Sequence, residues 1–250
     1  MLTQEHFLEK AKHISEEAKS RNIELRLLGA LAFRIHCPQF GFMQDRLGRV
    51  FTDIDFVGRS NQREAIRAFM KDMGFREDFE VTVLYGGDRL TFDEPGGLHS
   101  DVFLDALDFC HRIELKNRLH LDFPTISLAD LLLEKLQIVR INEKDIIDTC
   151  MLLCEHDLGR EDRESIDADF VAARCAQDWG LWRTLTINLD KILGRIEQYD
   201  LAAEDRERVK DRAKRLLSRI EAEPKSLSWR MRARLGERVK WYKDVDELKG

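Results

Sequence analysis

Phe51-Thr52-Asp53-Ile54-Asp55-Phe56-Val57 is the stretch of this 250-residue chain whose residue types and spacing point most directly to chemistry. Polar and apolar residues alternate, which reads as a strand, and strand side chains point alternately to opposite faces. Asp53 and Asp55 therefore project to one side, with Ile54 and Phe56 on the other. Two carboxylates one strand period apart repel each other unless a cation stands between them. A strand rarely keeps such a pair on a face that packs into a core. Hard oxygen donors at this spacing suit Mg²⁺, which takes one or two carboxylates and completes its shell with substrate phosphates. The same pattern also describes solvated edge residues, so the flanking sequence has to discriminate.

Two neighbouring segments do so. Upstream, Leu28-Gly29-Ala30 is a strand running into a glycine and then a helix, and a helix start behind a glycine offers bare N–H groups to a phosphate. Downstream, His99-Ser100-Asp101-Val102-Phe103-Leu104-Asp105 sets Asp101 among apolar residues, with Asp105 on the same face. A third carboxylate from a neighbouring strand would complete a two-metal site. Such a site clamps the attacking and leaving oxygens of an in-line phosphoryl displacement.

The elements that must position these residues follow from periodicity. Residues 3–20 read as an amphipathic helix with Phe7, Leu8, Ala11, Ile14 and Ala18 on one face. A strand over 23–28 leads into a short helix over 31–36, an irregular loop marked by Pro38, Gly41 and Gly48, and a strand over 50–57. Ser60 stands where an N-cap would open a helix to Met73, closed by Gly74. Residues 79–84 and 89–93 read as a hairpin around Gly86-Gly87, 98–105 as a strand, and 112–121 as one or two more. From Ser127 the pattern turns helical: Ser127 caps a helix through Val139 and Asn142 one through Cys154. Past a polar linker at 159–163, helices are expected over 166–178, 181–199, 203–222 and 227–242. The expected fold is α+β, a mixed β-sheet flanked by helices and followed by an all-helical C-terminal region, with domains at 1–158 and 159–250.

In this order the residues resemble a known pattern. Gly29-Ala30, Asp53-Ile54-Asp55 and Asp101 follow the hG[GS], [DE]h[DE]h and h[DE]h motifs of the DNA polymerase β-like nucleotidyltransferase superfamily. The run Ser127-Leu-Ala-Asp-Leu-Leu-Leu-Glu-Lys135 and the later Glu143-Lys144-Asp145-Ile-Ile-Asp148 resemble the AbiEii type, whose members include toxins of abortive-infection and toxin–antitoxin systems. The resemblance covers roughly residues 22–156. It implies a nucleotidyltransferase-type fold and transfer of a nucleoside monophosphate from a nucleoside triphosphate to a hydroxyl acceptor. It implies that Asp53 and Asp55 ligate Mg²⁺ on the triphosphate and that Asp101 joins a second metal and helps activate the acceptor. Gly29 and Ala30 would let the backbone approach the triphosphate, Lys135 would pair with phosphate oxygens, and Asp148, or Asp145, would orient that lysine or help bind the nucleotide. RNA, for example a tRNA acceptor end, is an acceptor that fits toxin-like relatives, a small molecule such as an aminoglycoside is the alternative acceptor within the same chemistry, and a cognate antitoxin is the partner they imply.

One position departs from the pattern. Ala30 stands where the family carries Ser or Gly, and a lost hydroxyl removes a hydrogen bond worth about 0.5–1.5 kcal/mol when neutral. The loop from Gly29 to Asp53 is also longer than the superfamily's spacing. Both leave open an alternative: a catalytically inactive nucleotidyltransferase fold that binds nucleotide or protein.

Other residues carry competing readings. Arg49 suits a phosphate or a counter-ion role beside Asp53 and Asp55. Lys135, in an apolar helix, would on residue type alone snorkel to solvent. Asp145 would stabilise the first turn of its helix, His99 and His111 flank the third carboxylate strand, and Asp105 and Asp108 read as solvated or supporting groups. Trp179, Trp182 and Trp229 read as packing of the helical half, and Trp241-Tyr242 as core or as a base-stacking pair.

Composition bounds the rest. The net charge is −6, 43% of residues are hydrophobic and 35% charged, so the chain can bury a core. Residues 206–243 carry fourteen Lys and Arg against five Asp and Glu, whereas 1–205 carry 26 against 39. That basic segment reads as an RNA footprint, or as a helix face that docks on an acidic body. No apolar run approaches a membrane span, the N-terminus lacks a signal-peptide core, and the five cysteines are odd in number and widely spaced. A cytoplasmic, reduced chain without membrane partners is expected, with Cys150 and Cys154 as small buried residues on one helix face.

Overall fold

The computed structural model describes residues 4–84, 87–161 and 163–244. In chain order the elements are α1 (Gln4–Ser20), β1 (Leu25–Leu28), α2 (Gly29–His36), α3 (Phe42–Arg46), β2 (Asp53–Gly58), α4 (Arg63–Asp72), β3 (Arg76–Glu77), α5 (Phe79–Leu84), β4 (Arg89–Asp93), β5 (His99–Leu104), β6 (Ala106–Asp108), β7 (Arg112–Glu114), α6 (Leu128–Leu136), α7 (Glu143–Glu155), β8 (Leu158–Gly159), β9 (Ile166–Asp167), α8 (Ala168–Gln177), α9 (Trp179–Arg195), α10 (Ala203–Ala222) and α11 (Leu227–Ala233). The fold is α+β, with a mixed sheet flanked by helices and a helical remainder.

Two compact units form. The first takes the chain up to Pro38, Gly48–Leu107 and Ile113–Ser127; the second takes Gln39–Leu47, Asp108–Arg112 and the chain from Leu128 onward. Helices α6 and α7 thus group with the C-terminal helices, so this grouping does not coincide with a division at residue 158.

The first unit is built on a five-stranded sheet in the order β1-β2-β5-β4-β3. Strands β2 and β5 run parallel, and every other neighbouring pair is antiparallel. Alternation along β2 drives Ile54 and Phe56 into the core, where Leu25, Leu27, Leu90, Phe92, Val102 and Leu104 are also buried. Helix α1 adds Phe7, Ala11, Ile14 and Ala18 from its apolar face. The outer edge of β1 is covered: Leu27 N–H donates to the Pro124 carbonyl (2.9 Å), and Ile126 N–H donates to the Leu27 carbonyl (2.9 Å).

Several segments differ from the sequence reading. Residues 79–84 form helix α5 rather than a hairpin strand, because the Asp78 carboxylate accepts from Val81 N–H (3.0 Å) and opens a helical turn that overrides the β-propensity of Val-Thr-Val. Gly86, the expected turn residue, lies outside the described residues. Ser60 caps no helix: its N–H donates to the Asp105 carboxylate (3.0 Å) and its hydroxyl bonds the same group, so α4 starts at Arg63 after a tight turn. The loop after Pro38 contains α3, and only Arg112–Glu114 of 112–121 is a strand.

The second unit is helical, and short polar side chains open its helices, Asn142 as expected and three others besides. Asn142 accepts from Asp145 N–H (3.1 Å), Asp167 from Phe170 N–H (2.9 Å), Asp178 from Gly180 N–H (2.8 Å) and Leu181 N–H (3.1 Å), and Ser226 from Trp229 N–H (3.1 Å). Helix α11 stops at Ala233, before Gly236 in the left-handed region (φ 55°), rather than running to 242. All five cysteines are free and buried, and burial pushes the Cys150 and Cys154 thiols up, the latter to about 12. Among the described residues no helix is long and apolar enough to cross a membrane.

Removing the fully buried Phe56 ring is expected to lower the unfolding free energy by about 3–5 kcal/mol in urea titrations of Phe56→Ala. A loss under about 1 kcal/mol, the level of a surface change, would show that β2 does not anchor the core.

Candidate active site

The sheet register brings the three predicted carboxylates onto one surface. Asp55 pairs with Asp101 and Asp53 with His99 across the parallel β2–β5 ladder. On the far side of β5, Thr91 pairs with Asp101 and Asp93 with His99. Paired residues share a face, so Asp53, Asp55, Asp101, His99, Thr91, Asp93 and, two residues along, Arg89 all lie on the face opposite Ile54 and Phe56.

Asp101 is the buried carboxylate of this group. Its Oδ1 accepts from the Thr91 hydroxyl (2.7 Å), and its Oδ2 is ion-paired with Arg89 and lies 3.6 Å from His99 Nε2. Burial alone would raise the Asp101 pKa; the interactions with His99, Arg89 and Thr91 outweigh it and hold the carboxyl at about 2. His99 moves the other way, to about 9, first through Asp101 and then through Asp93, whose Oδ1 lies 2.8 Å from Nδ1, while burial opposes. Asp53 is exposed and accepts from the Thr52 hydroxyl at 3.3 Å.

The glycine turn is built against this face. Gly29 has φ +70° and opens α2, and a Cβ there would stand 2.8 Å from Asp55 Oδ2. Only glycine lets the β1–α2 backbone pass so close to that carboxylate. Ala30 follows in the first turn of α2.

This arrangement can be tested against the metals that the sequence suggests. Asp53 and Asp55 give two hard oxygen donors on one face beside a close-approaching backbone, a donor set that suits one Mg²⁺ with substrate phosphates in its remaining positions. Asp101 already has both oxygens engaged by protein groups. Among the described residues no three His, Cys, Asp or Glu side chains are grouped to hold a metal ion.

The other predicted residues meet in the second unit. Lys135, on α6, is buried, with its Nζ 3.1 Å from Glu134, 3.4 Å from Asp148 and 3.5 Å from Asp145. It is therefore not a snorkelling surface lysine. Asp148 is fully buried on α7, and its Oδ1 accepts from Gln44 Nε2 (2.8 Å). Lys135 and Asp145 also line a cavity of about 880 Å³, together with Phe109, Arg140, Tyr242 and Lys243.

The remaining candidates have structural roles. Asp105, in the left-handed region (φ 65°), ties Ser60 to Lys116 (3.3 Å from Nζ) instead of being solvated. His111 is buried against the Thr184 hydroxyl (2.8 Å), and burial lowers its pKa. Trp241 packs on Trp179 (6.0 Å) and donates to Thr184 (3.1 Å), and Trp182 packs on Trp229 (5.1 Å), so the aromatic residues hold the helical unit together. Asp108 holds Lys243 through both oxygens (2.8 and 2.6 Å).

The basic segment is largely neutralised by its own unit. Arg206 and Lys210 pair with Glu197, Arg212 and Arg215 with Asp157, and Arg219 with Asp169 and Glu223. Arg230, Arg234 and Arg238 are exposed and carry no ion pair among the described residues.

Arg89 and Thr91 were not singled out by sequence. The one available signal is the period-2 placement of Arg89, Thr91 and Asp93 along a strand, which acquires meaning only once β4 is known to pair with β5.

No protein-family model matches the chain, and no curated protein does. Among solved structures, the chain is similar to the antibiotic-resistance factor ANT(2'')-Ia, known from a solution structure, at 14% identity and a TM-score of 0.38, over 61% of this chain and 84% of that one. It is also similar to an antigenic nucleotidyltransferase-like protein from Paracoccidioides brasiliensis, at 13% identity and a TM-score of 0.43, over 91% of this chain and 97% of that one.

Two outcomes follow from the charges. The imidazolium of His99 is favoured in the fold, so its stabilisation is complete below the ordinary 6.5 and fades as pH rises through about 9. The Asp101 contribution is present above the ordinary 3.8 and fades as pH falls towards 2. NMR titration of the His99 ring should give a midpoint near 9 that falls towards 6.5 in Asp101→Asn; an unchanged midpoint in the variant contradicts the pairing. In the second unit, Lys135→Met strands three buried or half-buried carboxylates and is expected to cost about 3–5 kcal/mol in urea unfolding.

Proposed function

We propose that the protein is a Mg²⁺-dependent nucleotidyltransferase that moves a nucleoside monophosphate from a nucleoside triphosphate to a hydroxyl acceptor. The acceptor oxygen forms a bond to the α-phosphorus as the bond to the β-phosphate bridge breaks, and pyrophosphate leaves. The observation that carries this reading is the register of Asp53 and Asp55 beside Asp101, with the Gly29 turn (φ +70°) so close that a Cβ there would stand 2.8 Å from Asp55 Oδ2.

Asp53 and Asp55 would hold Mg²⁺, which supplies charge neutralisation to the triphosphate oxygens. The turn at Gly29 and Ala30 would direct backbone N–H groups at the phosphates. The resemblance assigns Asp101 to the acceptor side of the reaction. It assigns Lys135 to phosphate oxygens and Asp148 and Asp145 to positioning that lysine, which agrees with their contacts.

For the acceptor we propose RNA. The electrostatic support for it comes from exposed side chains such as Lys214, Arg230, Arg234 and Arg238, since most basic side chains of α10 are paired within their own unit. A toxin-like role and an antitoxin partner rest on the resemblance alone. A second reading, a fold that binds nucleotide and transfers nothing, is favoured by Ala30 and by the Arg89–Asp101 ion pair.

Isothermal titration with the four ribonucleoside triphosphates, with and without Mg²⁺, tests the donor site. The expected result is Mg²⁺-dependent binding of one triphosphate, weakened by at least about tenfold in Asp53→Ala/Asp55→Ala, the scale of a lost charge-assisted contact. No binding by a folded wild type, or equal binding by the variant, contradicts it. Binding without turnover of labelled triphosphate on total RNA would favour the second reading.

A further inference from the structure

We propose that the Arg89 guanidinium stands where a second divalent ion sits in two-metal phosphoryl-transfer sites, so that this site loads one divalent cation with its nucleotide rather than two. The inference rests on the donor-site reading above and concerns what the third carboxylate does within it.

A second ion on this face would need an oxygen of the third carboxylate, Asp101, as a ligand. Here Asp101 presents no unoccupied oxygen: Oδ1 takes the Thr91 hydroxyl at 2.7 Å and Oδ2 takes Arg89, with His99 Nε2 at 3.6 Å. Backbone register places these groups on one face of the sheet. Thr91 is the cross-strand partner of Asp101, and Arg89, two residues along β4, shares its face. The guanidinium is further fixed against Phe103, 5.2 Å from the ring centroid, and Phe103 is the cross-strand partner of Arg89.

The chemistry favours a lasting substitution. Arginine keeps its charge at every accessible pH, so the position is never vacated by deprotonation. Mg²⁺ sheds water reluctantly and demands near-octahedral oxygen geometry, which a buried carboxylate already bound by a guanidinium and a hydroxyl does not offer. A fixed guanidinium would still place positive charge beside the triphosphate without reorganisation during the reaction. Asp53 and Asp55 would then serve the single ion, and Asp101 would act as a positioning residue for Arg89.

Counting bound Mn²⁺ by electron paramagnetic resonance tests this without reference to activity. The protein is saturated with the α,β-methylene analogue of the triphosphate that binds in the titration above. Wild type should bind one Mn²⁺ per chain in the presence of the analogue. Arg89→Met and Arg89→Gln, checked for folding by circular dichroism, should bind two. Two ions in wild type overturn the inference while leaving the donor site intact, and so does a single ion in a folded Arg89 variant. The wild-type count stands even where a variant fails to fold. An analogue that brings no Mn²⁺ to wild type overturns the donor site and this inference together.

Discussion

The parallel pairing of β2 with β5 is the constraint from which the rest of the sheet face follows. It sets Asp55 directly opposite Asp101, and like charges opposite each other on a ladder are destabilising. Burial of Asp101 sharpens the problem, since an isolated charge loses its hydration there. The fold answers with Arg89 and Thr91 from the strand on the other side, and with His99 at the edge of the group. The same pairing presents the carboxylate of Asp55 to the turn at Gly29, where only a residue without a Cβ can stand. Two strands and one turn therefore depend on this register, and a slip of β2 by one residue would send Asp53 and Asp55 into the core.

The second unit repeats the theme with opposite sign. Lys135 is a buried cation, and three carboxylates from α6 and α7 gather within 3.5 Å of it. A buried ion group of this kind contributes little to stability over an apolar core, but its members are costly to remove singly. Around it the helices are fastened by short polar caps and by a chain of packed indoles, while α10 meets its neighbours through ion pairs as well as through Val209, Ala213, Leu216 and Ile220.

Much of this is legible in the sequence. Strand alternation placed Asp53 and Asp55 on one side, and the apolar setting of Asp101 marked a neighbouring strand. The Asn142 cap and the boundaries of α1 and α7 are readable because each depends on residues a few positions apart. Long-range information was not. Nothing in the order of residues says that β5 lies between β2 and β4, and so nothing pointed to Arg89 as the partner of Asp101. Helix α5 was misread because Val-Thr-Val carries β-propensity, and one hydrogen bond from Asp78 outweighs it. Ser60 was misread because a hydroxyl that could cap a helix instead meets a carboxylate 45 residues away. The basic stretch at 206–243 reads as an RNA footprint or as a helix face that docks on acids; part of its charge is matched by Glu197, Asp157 and Asp169, which lie before it in the chain.

The central claim is that this acidic sheet face receives the triphosphate. A crystal structure of the protein grown with Mn²⁺ and a non-hydrolysable nucleoside triphosphate analogue, with anomalous diffraction to locate the metal, tests it most directly. The account predicts an anomalous peak at the Asp53 and Asp55 carboxylates, with the triphosphate lying along the Gly29 turn. A triphosphate bound elsewhere on the protein, with no metal at Asp53 and Asp55, would contradict it.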